Sequence, residues 1–310
     1  MSRYTGNLLS DTLAAMRLHG ICPTEPSRLR LDGVLCRFHD EGDRRDKRNG
    51  WAIVYADAER PVVVFGSWRK GEQHTAVLGD ASRAMTAAER ERQRLAIEQA
   101  QAARDAESRH RQRRAAVHAR DEWLAARPAS PLHPYLQRKG VTADGLRESA
   151  GKLLVPMHDA GGQLVNLQRI RSDGEKRFLS GGAVKGCHCL IGTVGPALLV
   201  AEGVATAKTL HAETGLPVAI AFSAGNLLAV TKIMRRRYPQ AAITICADND
   251  AKPDGSNPGL EAAELAARAT GARVAVPPIP GDFNDYATTC AAQGGTPEAI
   301  EVKPNEPAFK

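Results

Sequence analysis

The chain has 310 residues, of which 43% are hydrophobic and 25% are charged, and its formal net charge is +7. These values are ordinary for a globular protein, and the length allows one large domain or two to three smaller ones. No apolar stretch approaches the ~20 residues that span a bilayer, and the first residues lack the apolar core of a signal peptide. We therefore expect a cytoplasmic protein without a membrane partner.

The cysteines do not indicate a zinc site or disulfides, whereas the net charge favours a polyanionic partner. Cys22, Cys36, His39 and His74 have ligand chemistry for zinc, but their spacing fits no common zinc finger, so zinc is not expected. Disulfides are not expected in the cytoplasm either. The basic surplus, with a pI of about 9.2, favours a polyanionic partner, although the charge alone is weak evidence.

Residues 1–80 are predicted to form a small N-terminal module of mixed α and β structure. The pattern predicts a helix over 12–19 and strands over 51–55 and 61–65, joined by a polar turn at 56–60. This spacing indicates an antiparallel sheet.

Aromatic and basic side chains of this module are candidates for template contact. They are Trp51, Trp68, Arg69 and His74. Aromatic rings beside basic groups can stack on bases and hold phosphates. The same residues would also suit a small core with a solvated loop, and the sequence leaves both interpretations open.

Residues 81–128 are predicted to form a long basic helix. The stretch 83–127 contains no Gly or Pro and carries eleven arginines against seven acidic residues. Its apolar positions are mostly alanine, which is too small for a strong coiled-coil seam. The helix is therefore either a solvated connector or an arm that contacts phosphates, and the prolines from Pro128 onward mark its end.

Residues 129–192 are predicted to form a basic subdomain. Strands over 153–157 and 163–170 flank a Gly-Gly turn, and a third strand covers 176–179. The cations that we expect to hold nucleic-acid or nucleotide phosphates, rather than to form only a solvated face, are Arg169, Arg171, Lys176, Arg177 and Lys185.

Residues 193–290 alternate between strand and helix, and a tail follows over 291–310. The predicted strands are 197–201, 217–222, 242–247 and 272–276, with helices over 203–214, 226–237 and 258–270. This pattern predicts a doubly wound α/β unit of about four strands. The chain lacks both GxGxxG and GxxxxGK[ST], which excludes a Rossmann dinucleotide fingerprint and a P-loop motor in this sequence.

Acidic residues follow three of these strands. Glu202 follows the first, Asp248 and Asp250 follow the third, and Asp282 and Asp285 follow the last. Carboxyl ends of parallel strands meet at one sheet edge, where ligands bind. Converging carboxylates suit Mg²⁺ or Mn²⁺. Each residue also has a structural alternative: an acid favoured by a helix dipole, a turn residue, or an Asx-turn.

Glu202-Gly203 after one strand and Asp248-Asn249-Asp250 after another, about 45 residues apart, resemble a Toprim domain, the metal-binding module of DnaG-type primases, topoisomerases and some nucleases. Neighbouring stretches resemble the primase cores of the plasmid and phage TraC-like group. They are 133–136, 139–141, 162–170, 173–179, 201–207, 222–227 and 282–285.

The resemblance implies roles for the acidic residues. Glu202 would be a general acid/base or a carboxylate beside the metal, and Asp248 and Asp250 would bind Mg²⁺ or Mn²⁺. Asp285, together with Asp282, would complete the metal cage. One departure is the inserted segment Ala251–Ser256, which either contacts nucleotide or only lengthens the loop.

The implied function is a DNA primase that makes short RNA primers from nucleoside triphosphates on single-stranded DNA, in plasmid, phage or mobile-element replication. A replicative helicase encoded separately is a further expected partner. The alternatives are a Toprim nuclease, for which a motor motif is missing, and a non-catalytic single-stranded-DNA-binding accessory, against which the intact acidic clusters argue. A topoisomerase would need a nucleophilic tyrosine in a DNA-gripping domain, and no tyrosine here has that context.

Overall fold

The computed structural model describes residues 4–45, 47–56, 60–79, 85–251, 255–295 and 302–303. Most of the predicted turn at 56–60, residues 252–254 of the inserted segment and most of the tail over 291–310 lie outside the described residues. The chain divides into two units, Met1–His110 and Arg111–Lys310, and each is described by itself.

The first unit is built on a four-stranded antiparallel sheet. Its elements are helix α1 (Leu8–Leu18), a short 3₁₀ turn (Pro26–Arg28) and strands β1 (Cys36–Phe38), β2 (Gly50–Tyr55), β3 (Val62–Ser67) and β4 (Glu72–Val77). The strands pair in sequence order. The predicted helix and two strands are confirmed. Strand β4 was missed because its Glu-Gln-His-Thr run is polar.

The two faces of this sheet bury different side chains. Met16 of α1 and Phe65 of β3 belong to one apolar cluster. Trp51 and Ile53 of β2 belong to another, together with Ala96. Residues of one strand alternate between the two clusters, as the pleat of a strand requires.

Helix α2 (Ala87–Ala125) confirms the predicted long helix. Several of its alanines are buried, while others are exposed. Ala96 and Ala100 are buried in the first unit, and Ala119 is buried in the second. The boundary between the two units lies within α2, because the helix contributes to both cores.

The second unit begins with a five-stranded antiparallel sheet. Its elements are β5 (Arg127–Pro128), helix α3 (Pro134–Lys139), β6 (Arg147–Ser149), β7 (Lys152–His158), β8 (Leu164–Ile170) and β9 (Lys176–Phe178). The strands pair in sequence order. The predicted hairpin and third strand are confirmed.

A mixed six-stranded sheet follows in the same unit. Its strands are β10 (Cys189–Ile191), β11 (Ala197–Ala201), β12 (Val218–Ile220), β13 (Ala242–Cys246), β14 (Arg273–Ala275) and β15 (Val302–Lys303). Its helices are α4 (Val204–Thr214), α5 (Ala224–Arg237), α6 (Pro258–Thr270) and α7 (Phe283–Ala292). The strand order is β10-β12-β11-β13-β14-β15, with β10 and β15 antiparallel to their neighbours.

The four central strands confirm the predicted doubly wound α/β unit. They are mutually parallel, and alternate residues enter two different cores. Leu199 and Ala201 of β11 join the core shared with α4, α7 and the five-stranded sheet, whereas Leu198 and Val200 join the core under α5 and α6. The chain winds from β11 to β12 on one side and then crosses to β13 on the other. The carboxyl ends of β11 and β13 therefore form the switch point where such sheets bind ligands.

Within the described ranges, no helix combines the length and the apolar character needed to cross a bilayer.

Candidate active site

Glu202 and Asp248 lie together at the switch point of the six-stranded sheet. Strands β11 and β13 pair directly, with Ala201 opposite Cys246. Glu202 follows Ala201 at once, and Asp248 follows Cys246 by two residues. The two carboxylates therefore leave adjacent strands at the same sheet edge, as the sequence predicted.

The carboxylate of Glu202 has one hydrogen bond from the backbone and one oxygen without a hydrogen-bond partner. Its carboxylate accepts a hydrogen bond from the backbone N–H of Ala224, the first residue of α5. Its Oε1 is buried and has no hydrogen-bond partner. Burial raises the pKa of Glu202, the nearby Asp250 adds to the rise, and the Ala224 bond opposes it. The exposed N–H groups of a helix start favour a carboxylate here.

Asp248 is the most perturbed acid of the site. Its Oδ1 is also buried without a partner. Burial raises its pKa to about 7, and the charges of Glu202, Asp282 and Asp250 add to that rise, while Lys176 opposes it. Such a pKa means that the carboxylate lacks the compensating positive charge that would keep it ionised.

This pair fits a divalent cation only in part. Within the described part of the chain, no three His, Cys, Asp or Glu side chains are grouped as a complete metal cage. Mg²⁺, however, is usually held by one or two carboxylates and completes its shell with water and phosphate oxygens. Two buried, unpartnered carboxylate oxygens are the donor set for that arrangement. Asp250 is exposed at the rim of the same turn.

Asp282 and Asp285 have structural partners instead. Asp282 is the N-cap of α7, and its Oδ1 accepts from the N–H of Asn284 at 2.7 Å and of Asp285 at 3.0 Å. The Asp285 carboxylate in turn accepts a hydrogen bond from the backbone N–H of Asp282. It also forms an ion pair with Lys139, whose Nζ lies 2.9 Å from Asp285 Oδ1. Burial acts to raise the pKa of Asp285, but the Lys139 contact and the cap bond lower it overall. These contacts form a capping box.

Backbone and amide contacts hold the Asp248 turn in place. Asn249 forms two backbone bonds with Gly281, and its Nδ2 donates to Pro277 O and Ile279 O, both at 3.2 Å. On the opposite side, a Cβ added at Gly259 would lie 3.1 Å from Glu202 Oε1. Helix α6 therefore approaches Glu202 closely because residue 259 has no side chain.

Lys176 is the predicted cation that faces the carboxylates. The residue is exposed, but surrounding protein atoms partly desolvate its ammonium group and lower its pKa; Lys139 adds to that effect, while Asp282 and Asp248 oppose it. Its Nζ lies 5.8 Å from the centre of the Tyr135 ring. Tyr135 is buried, its hydroxyl has no hydrogen-bond partner, and burial together with Asp282 raises its pKa to about 12.

The other predicted cations are placed differently. Arg169 forms a two-pronged ion pair with Glu122 of α2, on the face of the five-stranded sheet opposite to Ile170. Arg177 lies opposite Arg169 in the register of β8 and β9. Both Arg177 and Arg171 form ion pairs with Glu175. These arrangements do not bring the three guanidinium groups to the carboxylates, because the strand pleat turns alternate residues to opposite faces.

Lys185 is exposed in a loop whose backbone is hydrogen-bonded by the buried side-chain amides of Asn226 and Asn166. Asn226 of α5 accepts from Gly186 N at 2.7 Å and donates to Cys187 O at 3.0 Å. Asn166 of β8 donates to Ala183 O at 2.8 Å. The loop therefore has a defined course beside the start of α5.

In the first unit, the four predicted template residues lie on both faces of the sheet. Trp51 is buried, and its ring lies 5.9 Å from that of Trp68, on the side of α2. His74 stacks on His19 at 4.0 Å, beside Phe65. Arg69 bonds Asp43 Oδ1 at 3.1 Å. Trp68 is half-buried, and the Arg37 guanidinium lies over its ring at 4.8 Å.

The candidate zinc ligands of this unit do not form a group. Cys36 is buried and its thiol donates to Arg28 O, while His39 contacts Thr24 and His74 contacts His19. Among residues with described positions, no zinc-like cluster is present here either.

Several supporting residues were given no role by the sequence, although four of them lie in the stretches that carry the family resemblance. Asn249, Gly259, Tyr135, Asn284 and Lys139 act through contacts between segments far apart in the chain. Asn284, for example, donates to Lys139 O at 2.7 Å and to Thr209 Oγ1 at 2.9 Å. The run 133–136 in the family resemblance pointed to Tyr135 but assigned it no role.

Comparison with known proteins agrees with this geometry. Residues 197–293 match the family model described as the Toprim domain. One DNA primase TraC of Escherichia coli is 29% identical over 271 residues, which cover 83% of this chain and 25% of the relative. A second TraC primase from Escherichia coli is 35% identical over 170 residues, covering 51% of this chain and 12% of the relative. The chain thus spans a quarter or less of the curated relatives it matches.

Solved structures give weaker matches. The DnaG primase catalytic domain bound to ssDNA has a TM-score of 0.42 and 11% identity, covering 60% of this chain and 77% of that chain. A TM-score at this level supports no conclusion about the site. The sequence matches confirm the predicted resemblance: residues 197–293 match the Toprim domain model, and the chain is similar to the TraC primases.

Proposed function

We propose that this chain is a DNA primase that joins nucleoside triphosphates into short RNA primers on single-stranded DNA. The observation that carries the proposal is the pair of unpartnered carboxylate oxygens, on Glu202 and Asp248, at the switch point of the Toprim sheet. The similarity to two proteins named DNA primase supports the same reaction. Plasmid, phage or mobile-element replication is the setting that the TraC similarity suggests.

Glu202 and Asp248 would hold a divalent cation, with Asp250 near the rim. When bound, Mg²⁺ or Mn²⁺ would neutralise phosphate charge and activate the attacking hydroxyl. The pKa of Asp248, near 7, supports this assignment because a nearby dication would restore the ionised form. Asp282 and Asp285 would contribute through the position of α7 and its loop rather than as free ligands.

The chain's own residues would bind and orient the substrates. Lys176 faces the carboxylates from β9 and would hold a triphosphate or template phosphate opposite them. The buried hydroxyl of Tyr135 lacks a partner and would donate to an oxygen brought into the same space. Glu202, as a carboxylate that holds the cation, would be ionised and would keep the metal beside the reacting hydroxyl.

The proposed partners are single-stranded DNA and nucleoside triphosphates, with a separately encoded replicative helicase as a further proposal. The net charge of +7 supports a polyanionic template. In the first unit, the half-buried Trp68, with Arg37 over its ring, and the exposed Arg69 are the proposed template contacts.

The direct test is incubation of the protein with single-stranded DNA, labelled ribonucleoside triphosphates and either Mg²⁺ or Mn²⁺. We expect short products that alkali destroys, and none when EDTA is present. Cleavage of the template without new product would contradict the proposal and favour a nuclease. Binding of DNA without any reaction under either metal would contradict it in favour of a binding accessory.

A further inference from the structure

A cavity lies in the Arg111–Lys310 unit, apart from Glu202 and Asp248. Its volume is about 410 Å³, and it is lined by residues of α4, β10 and the segment that precedes β6. Neither Glu202 nor Asp248 lines it. Its walls are largely apolar, and the main contributors are Leu146, Pro156, Ile191, Val204 and Ile220. A cavity of this size and lining is typical of small-molecule sites.

Lys208 of α4 is the unusual residue of this cavity. Its side chain is buried, with the residue only 7% exposed. Its Nζ donates one hydrogen bond, to the backbone carbonyl of Asp144 at 2.7 Å. In the described part of the chain, no carboxylate lies within ion-pair distance of this ammonium.

A buried ammonium with a single neutral acceptor is unfavourable for the folded protein. Burial lowers the pKa of Lys208, and the charge of Asp144 only partly opposes that effect. An ammonium carries three donors, and buried charges are normally paired. A methionine would fill the same space without the cost of desolvating a charge, so packing alone does not account for a lysine here.

We propose that this cavity binds a small organic anion, with an apolar body against the cavity walls and a carboxylate or phosphate group on Lys208. The anion would supply the missing counter-charge and accept the remaining ammonium protons. A charge-assisted hydrogen bond in a mostly apolar site is among the stronger polar contacts.

Two histidines also line the cavity wall. His211 is one turn after Lys208 on α4, and its Nδ1 lies 2.7 Å from Leu216 O. That contact places a proton on Nδ1, because a carbonyl oxygen only accepts. In the neutral ring, Nε2 of His211 is therefore an acceptor. His158 of β7 also lines the cavity. Among the lining side chains, Lys208 would meet the charge of the headgroup, and Asp144 is the lining carboxylate whose charge acts on Lys208.

The occupant would touch the helix that follows the Toprim glutamate. Helix α4 starts at Val204, two residues after Glu202, and Val204 lines the cavity. The binding site itself does not depend on the activity proposed above and is testable without it.

The test uses the full chain labelled with ¹⁵N and three probes of one shape: phenyl phosphate, benzoate and neutral benzyl alcohol. We expect saturable amide shifts at Gly145, Gly192 and Ala212 with at least one anion and none with the alcohol. Whichever anion binds more tightly identifies the headgroup chemistry. Lys208→Met should weaken that binding at least about tenfold, whereas Lys232→Met, an exposed lysine on α5, should leave it unchanged.

A second variant keeps the test decisive if the loss of Lys208 disturbs the fold. Ala212 is exposed and lines the cavity, so Ala212→Phe should obstruct it without removing a buried charge. We expect this variant to lose anion binding while its other amide signals stay in place. The proposal is overturned if neither anion gives saturable shifts at the cavity, or if Lys208→Met or Ala212→Phe binds as tightly as the original chain.

Discussion

Two acidic pairs lie near the same end of the Toprim sheet, and their surroundings differ. Glu202 and Asp248 each have a buried oxygen with no hydrogen-bond partner. Asp282 and Asp285 instead satisfy each other's backbone through a capping box, and Lys139 neutralises one of them. A carboxylate that the fold has already satisfied stabilises a helix, whereas one that it leaves unsatisfied is available for a ligand. All four are carboxylates in segments that follow strands of this sheet, and their hydrogen-bond and ion-pair partners distinguish the two pairs.

The largest expected effect separates these pairs by activity. Asp248→Asn keeps the shape of the side chain but removes its charge, and we expect primer synthesis to fall at least about a hundredfold. Asp285→Asn should reduce it much less, because Asp285 is already bound to Lys139. Primer yield per unit time measures both variants. Equal losses in the two would remove the distinction between the pairs.

A second comparison uses neighbouring residues of β9. Lys176 faces the carboxylates, and Arg177 bonds Glu175 on the other face. We expect Lys176→Met to lower primer synthesis about tenfold and to make DNA binding less dependent on salt, because a charged phosphate contact is lost. Arg177→Met is the matched control with little expected effect. A larger loss in Arg177→Met would place the phosphate path on the opposite face.

The pH dependence of the free energy of unfolding should reveal the raised pKa of Asp248. The folded pKa of Asp248 is about 7, above its ordinary 3.8, so the folded state binds this proton more tightly than the unfolded state. Its contribution to stability is therefore present below about pH 4 and is lost as the pH rises towards 7. Without metal, Asp248→Asn should gain stability relative to the original chain over that range. Denaturant unfolding at several pH values checks this, and parallel curves for the two proteins would contradict it.

The smallest expected effect concerns the cap of α7. Asp282→Ala should lower the free energy of unfolding by about 1 kcal/mol, because two N–H groups at the helix start lose their acceptor. Asp282→Asn retains a capping oxygen and should change stability little. If Asp282→Asn instead abolished primer synthesis while remaining stable, Asp282 would belong with the metal ligands.

The sequence predicted the regular parts of this fold because local patterns determine them. The four parallel strands and three of the four described helices that begin in 196–290 were recognisable from apolar runs, Gly caps and the Asn257-Pro258 start, whereas α7 was not predicted. The edge strand β10 and the polar strand β4 were not, since their pairing depends on distant segments. The long helix was predicted, but the burial of Ala96 and Ala119 within it was not.

The candidate site was predictable in its acids but not in its contacts. The strand-end pattern placed Glu202 and Asp248 together correctly. It could not show that Arg169 binds Glu122, or that Asp285 binds Lys139, because these partners lie 47 and 146 residues away in the chain. Side-chain direction was decisive for the cations: the alternation along β8 and β9 sends Lys176 and Arg177 to opposite faces.

The central claim is that the unsatisfied carboxylates, and not the capping pair, bind the divalent metal. Titration of the full chain with Mn²⁺, followed by electron paramagnetic resonance of the free ion, tests it most directly. We predict that Glu202→Gln and Asp248→Asn each weaken Mn²⁺ binding at least about tenfold, while Asp285→Asn binds as the original chain does. Undiminished binding in Asp248→Asn, or its loss only in Asp285→Asn, would contradict the account.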